Sequence, residues 1–283
     1  MLTAQPLPVR LAPVKAQHVK SVASLLMMCA ASVGLPGQIR PSSTEVTRSD
    51  GTLSITVHSY YPVRDILVRL GQEYGWSINY EDPIYPASDT VDVSVSSWRR
   101  DHPGERGFYV PKWEDAFSVH LPAAGEHVGS PFGILQGIVN EYNRSHESVK
   151  FRIQALSHSR FRVTGRPSGG RGIFDATSVA VNRQPTQGTQ ELARIINSCS
   201  AETGLTIVLG IAPMNALNHA IIAGGIGKLD CGSAINRVIA QVSPELVYQV
   251  IEDIADRQLL LSITATHKLP GADDHSTSSG PLQ

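Results

Sequence analysis

The chain has 283 residues, 41% of them hydrophobic and 17% charged, with a formal net charge of −1. That length holds two ordinary domains with packed cores. The sequence has no Lys/Arg-rich run and no acidic block, so its composition argues against nucleic acid as a partner and against a charged interaction tail.

Residues 1–20 carry Arg10, Lys15 and Lys20 and no acid, and residues 21–34 then read SVASLLMMCAASVG. This apolar core is too short to span a bilayer comfortably, and Ala30, Ser32 and Gly34 fit a signal-peptidase cut. Residues 1–34 are therefore expected to be a signal peptide. The mature chain is expected to begin near 33–35, to be periplasmic or secreted, and to have no transmembrane span. A membrane anchor or a plain tail is the alternative. Cys29 invites a lipoprotein reading, but Met27 and Met28 stand where small residues belong.

Residues 35–51 read as a polar lead-in. Residues 53–60 alternate with period two, as a strand does. Pro62 suits the first helical position, Val63, Ile66, Leu67 and Leu70 make an apolar stripe, and Gly75 fits the helix C-terminus. Residues 76–80 form the next strand, ended by Asp82-Pro83, and 91–95 alternate again. Residues 98–128 stand apart as an insertion, with a loop over 99–106 and a hairpin of 108–110 with 117–121. Ser130 is an N-cap followed by Pro131, and Phe132, Leu135, Ile138, Val139 and Tyr142 line the second helix. Residues 149–153 and 160–163 form a hairpin, and the Pro/Gly content of 166–172 marks a linker.

The pattern then restarts. A strand at 178–181 leads into a helix with Leu192, Ile195, Ile196 and Cys199, ending at Gly204. Strands at 206–209 and 219–223 follow. Asp230 caps a fourth helix with Ile235, Val238, Ile239 and Val242, and 246–251 with 258–264 close as a hairpin. The tail, 267–283, is polar and reads as disordered. Aligned on Gly75 and Gly204, apolar meets apolar at Val63/Leu192, Ile66/Ile195, Leu67/Ile196, Leu70/Cys199, Trp76/Leu205 and Ile78/Ile207. The caps Ser130 and Asp230 also align, as do Ile138 and Val238. The expectation is an α+β chain of two tandem β-α-β-β-α-β-β modules, 52–165 and 173–266, with helices between small mixed sheets and a hairpin insertion in the first.

The run from Leu192 to Leu209, then Gly227-Lys228-Leu229-Asp230 before the helix through Val238 and a closing hairpin, resembles the short domain at the N-terminus of secretins and TonB-dependent receptors. The first copy resembles a diverged, insertion-bearing version. The resemblance implies two helices packed between small sheets, contacts with neighbouring envelope proteins, no catalytic residues and no cofactor. Neither a secretin pore nor an outer-membrane barrel follows in this sequence. The two helices of a copy are neighbours in that family, so Cys199 and Cys231 come within reach of a disulfide. Two buried thiols that never meet is the other outcome.

No metal spacing or catalytic constellation emerges. The ten histidines are scattered. His102, His120 and His127 fall in the insertion with Asp101, Glu105, Glu114, Asp115 and Glu126, which reads either as a metal or acid–base site or as a solvated polar loop. An exported enzyme or ligand-binding protein with its site in 98–128 is accordingly the alternative function. The glycines at 224–227 lack the spacing of a phosphate loop. The paired acids Glu81-Asp82 and Asp253/Asp256 fall at strand ends and are expected to be solvated. Aromatic residues concentrate between 60 and 117, and Tyr85, Trp98, Tyr109 and Trp113 are the candidate interface side chains.

Overall fold

The computed structural model describes residues 42–112, 116–122, 129–175 and 177–266. The signal-peptide, tail, Trp113, His127, Glu114, Asp115 and Glu126 readings lie outside them. The described chain is α+β, with six helices and several small mixed sheets.

In the first half, β1 (Ser43–Ser49), β2 (Thr52–His58) and β6 (Phe117–Pro122) form an antiparallel sheet in the order β1-β2-β6. Helices α1 (Pro62–Tyr74) and α3 (Pro131–Ser145) pack between it and β3 (Ser77–Glu81), β8 (Arg160–Pro167) and β7 (Val149–Ala155). Their stripes bury Val63, Ile66, Leu67 and Leu70 from α1 and Leu135, Ile138, Val139 and Tyr142 from α3. Each such Leu or Ile stabilises the fold by roughly 1.5–3 kcal/mol. Gly75 ends α1 at φ 70, where a side chain would be strained, and its N–H donates to Gly71 O.

The structure departs from the sequence pattern in three places. Residues 43–49 are a strand, not a lead-in: β2 supplies the pattern and β1 pairs along its whole length. The 108–110/117–121 hairpin does not form. β5 (Tyr109–Pro111) pairs with β4 (Thr90–Asp92), while β6 pairs with β2 and buries Val119 and Leu121 in the core. The segment set apart from the core is thus β4, the short helix α2 (Ser96–Asp101) and β5. Ser130 does sit at the N-cap of α3, but its side chain makes no capping bond.

In the second half, α4 (Gly188–Thr203) and α6 (Cys231–Val242) pack on each other and on β11 (Thr206–Leu209), β15 (Gln258–Ala265) and β14 (Leu246–Asp253). Over them lie β9 (Ser178–Ala180) paired with β13 (Lys228–Asp230). β10 (Thr186–Gln187) pairs with β12 (Ile221–Ile222), which follows the short helix α5 (Met214–His219). Gly204 ends α4 at φ 69, and Asp230 caps α6 by accepting from Ser233 N.

The halves share one six-stranded sheet in the order β11-β15-β14-β3-β8-β7. At its centre β14 runs parallel to β3, with Val250 opposite Glu81. Side chains paired across strands point to the same face, and successive residues alternate. Val250 belongs to the second core, whereas Ile78 and Tyr80 belong to the first, so the two cores occupy opposite faces of the sheet. At the outer edge of β7, Asn143 Nδ2 donates to Phe151 O and Phe151 N donates to Asn143 Oδ1, as a neighbouring strand would.

Candidate functional site

Because the second half covers the face of β3 and β8 that turns away from the first core, their off-core residues are buried in a polar seam. Ser77, Asn79 and Glu81 from β3 lie beside Arg160, Arg162 and Thr164 from β8. All five residues of β3 are buried. Glu81 and Asp82 have 0% exposure. The expectation that this acid pair is solvated is therefore overturned: what would be the outer face of an isolated module is roofed by α6 and β14.

Arg162 organises the seam. Its Nε is 2.6 Å from Glu81 Oε1 and its Nη2 is 3.0 Å from Glu81 Oε2, a bidentate pair. Its Nη1 is 2.6 Å from Asp230 Oδ1, and its Nη2 is 3.2 Å from Asp175 Oδ1. Tyr248 donates its hydroxyl to Glu81 Oε1. Burial and the Glu81 charge push the Tyr248 phenol well above its ordinary range. Burial raises Asp230, but hydrogen bonding from Ser233 and the charge of Arg162 outweigh it and hold the carboxyl low. A second set stitches the other end: Tyr248 N donates to Asn79 Oδ1 (3.1 Å), and Asn79 Nδ2 and Arg160 Nε both donate to Asn236 Oδ1.

The first turn of α6 concentrates three devices in consecutive residues. Asp230 caps the helix and binds Arg162. Cys231 is bonded to Cys199 of α4, with Cα atoms 5.9 Å apart. Gly232 lies against the seam, where a Cβ would overlap the Arg162 guanidinium and Glu81 Oε1.

Among the described residues no cation lies at bonding distance from Asp82. Tyr80 donates its hydroxyl to Asp82 Oδ1, and Glu252 N donates to Asp82 Oδ2 at 3.2 Å. Burial, the largest influence, raises its pKa to about 7. Burial also raises Glu252, which accepts from Tyr85 N at 2.8 Å.

Beside the seam opens a polar cleft of about 620 Å³ lined by Arg152, Gln154, Arg166, Arg171, Asp175 and Asp230. Arg152 Nη2 is 2.5 Å from Asp175 Oδ2. Glu81 and Asp82 have no surface open to it, so the cleft meets only their neighbours.

The candidate residues read from sequence have varied surroundings. Tyr85 is half-buried against the first core. Trp98 stacks on His102 (4.8 Å) and packs against Phe108 within the α2 segment. Tyr109 is exposed. His102 Nδ1 bonds to Trp98 O within its own segment, and His120 Nδ1 on β6 bonds to Ser54 Oγ on the neighbouring β2. Among the described residues no group of three or more His, Cys, Asp or Glu could hold a metal ion, and no helix is long and apolar enough to cross a membrane. The signal for the missed seam was the polar alternation Ser77, Asn79, Glu81 against Arg160, Arg162, Thr164. It reads as seam only once the two strands are known to adjoin.

No protein-family model, curated protein or solved structure matches this chain.

Proposed function

We propose that this chain is an exported, non-catalytic cell-envelope protein that acts through protein–protein contacts, built from two diverged copies of the secretin/TonB N-terminus-like module. The matching connectivity of the halves supports the duplication. β2 and β6 correspond to β9 and β13, and β3, β8 and β7 to β11, β15 and β14, each set built around two helices. The Cys199–Cys231 bond supports an oxidising compartment.

The observation that carries the contact reading is a concentration of exposed apolar side chains. Ile211 (61% exposed), Met214 (46%), Ile221 (66%) and Ile226 (93%) all lie between the end of β11 and the start of β13. Ile211 follows directly on β11, the last strand of the six-stranded sheet, whereas Ile221 lies on β12, paired with β10. Exposed apolar side chains concentrated in one stretch of chain fit an apolar segment of an envelope protein.

A photo-cross-linking residue at Ile221 or Ile226 is expected to give discrete adducts in cells. The same residue at Arg144, whose side chain is 73% exposed on α3, should give none. Equal labelling at all three positions, or none at any, rejects the contact reading. N-terminal sequencing of the native protein should return a start near residues 33–35, and a start at Met1 would reject export.

A further inference from the structure

The geometry points to the cleft beside the seam as a binding site for a phosphate-bearing anion, held by Arg166 and Arg171 with Arg152 next to them. Three guanidiniums (Arg152, Arg166 and Arg171) line it against two carboxylates (Asp175 and Asp230), beside the buried Arg162–Glu81 pair. The acids are already engaged. Glu81 is taken by Arg162, Asp230 by Arg162 and Ser233, and Asp175 by Arg152 and Arg162. The side chains of Arg166 and Arg171 form no hydrogen bond or ion pair with any described residue, yet both line the cleft.

Their placement follows from the strands. Arg162, Thr164 and Arg166 alternate on β8, and Arg166 pairs with Lys150 while Thr164 pairs with Arg152, so these cations share one sheet face. A turn closed by Gly170 N on Pro167 O then brings Arg171 back over that face. Asp175, bridging Arg152 and Arg162, shows the chemistry the cleft accepts: an anionic oxygen pair between guanidinium forks. The volume falls within the roughly 300–1,000 Å³ usual for small-ligand sites, and a polar lining selects a polar guest. Arg is suited to phosphate because its planar fork meets two oxygens at once. This site is independent of the protein-contact reading and uses a different surface.

The test is calorimetric titration of the mature protein with inorganic pyrophosphate at low ionic strength, with sodium chloride of matched ionic strength as the blank. Saturable binding of one pyrophosphate per chain is expected. The variant Arg166→Glu/Arg171→Glu should weaken it by about tenfold or more, since two charge-assisted contacts become repulsive, whereas Arg144→Glu leaves it unchanged. The same variants are run in sedimentation with phosphatidylglycerol and phosphatidylcholine vesicles. Retention on phosphatidylglycerol that depends on Arg166 and Arg171 assigns a lipid headgroup, and pyrophosphate binding without retention assigns a soluble phosphate compound. Absence of both, or binding undiminished in the double variant, overturns the site. Near-ultraviolet circular dichroism checks that the double variant is folded. If it is not, Arg171→Ala, on an exposed residue, carries the same comparison.

Discussion

β3 and β11 hold the same place in their halves, each following a helix that ends at a left-handed glycine, yet their fates differ. β3 is buried on both faces at the centre of the sheet, and β11 is its last strand. Aligned on those glycines, Asn79, Glu81 and Asp82 face Val208, Gly210 and Ile211. The residues that differ are those that bond to β14, α6 and β8 in the seam. One strand is made internal by polar groups with assigned partners, and the other keeps apolar side chains in solvent. Position in the sheet follows from the off-core residues, not from the apolar stripe both strands share.

The sharpest way to break this difference is Arg162→Ala, which leaves Glu81 charged, buried and without its cation. A loss of about 3–5 kcal/mol is expected in denaturant unfolding. Replacing Arg162 and Glu81 together by apolar residues should recover much of it. A loss no larger than that of an exposed Arg would mean the seam is wet. Next comes the disulfide beside the seam. Cys199→Ser/Cys231→Ser opens a link with sequence separation 32 and should cost about 3–4 kcal/mol. Thiol counting on denatured, unreduced mature protein should find none free, and two free thiols would remove the link.

Asp82 gives a pH signature. Its folded pKa of about 7 lies above the ordinary 3.8, so the folded state holds the proton more tightly than the unfolded. The stability this brings is fully present below about pH 4 and is lost as the pH rises through 7. Relative to Asp82→Asn, the wild type should therefore lose on the order of 4 kcal/mol across that window. Glu252, raised by burial, acts in the same direction, and its charge is one of the influences that raise Asp82. A flat difference would place Asp82 in contact with water. The smallest effect sharpens the contrast itself. Asn79→Val strands Tyr248 N and should cost about 1–3 kcal/mol, whereas Val208→Asn on the half-buried β11 should cost about 1 kcal/mol or less.

The long helices were legible because α1, α3, α4 and α6 each carry an apolar stripe at helical spacing. The α2 and α5 helices, six residues each, are too short to show one. β1 was missed because six of its seven residues are exposed and only its pairing with β2 defines it. The seam was misread for a physical reason. Ser77-Ile78-Asn79-Tyr80-Glu81 alternates as a half-solvated strand does, and the same alternation serves a strand whose polar face meets another polar face. The cleft was invisible because its residues are scattered between 152 and 230 and converge only through the β7–β8 pairing and the turn after it.

The parallel joint has a consequence for the order of folding. Asn79 and the backbone of Tyr248 lie 169 residues apart in the chain, so the centre of the sheet is completed only once most of the second half is present. Until residues 246–253 emerge, β3 is an exposed edge. The polar Asn79 and Glu81, with Arg162 on the neighbouring strand, occupy that growing boundary where a bare apolar strand would invite aggregation. The groups that later lock the halves together thus keep the first half soluble while it waits for the second.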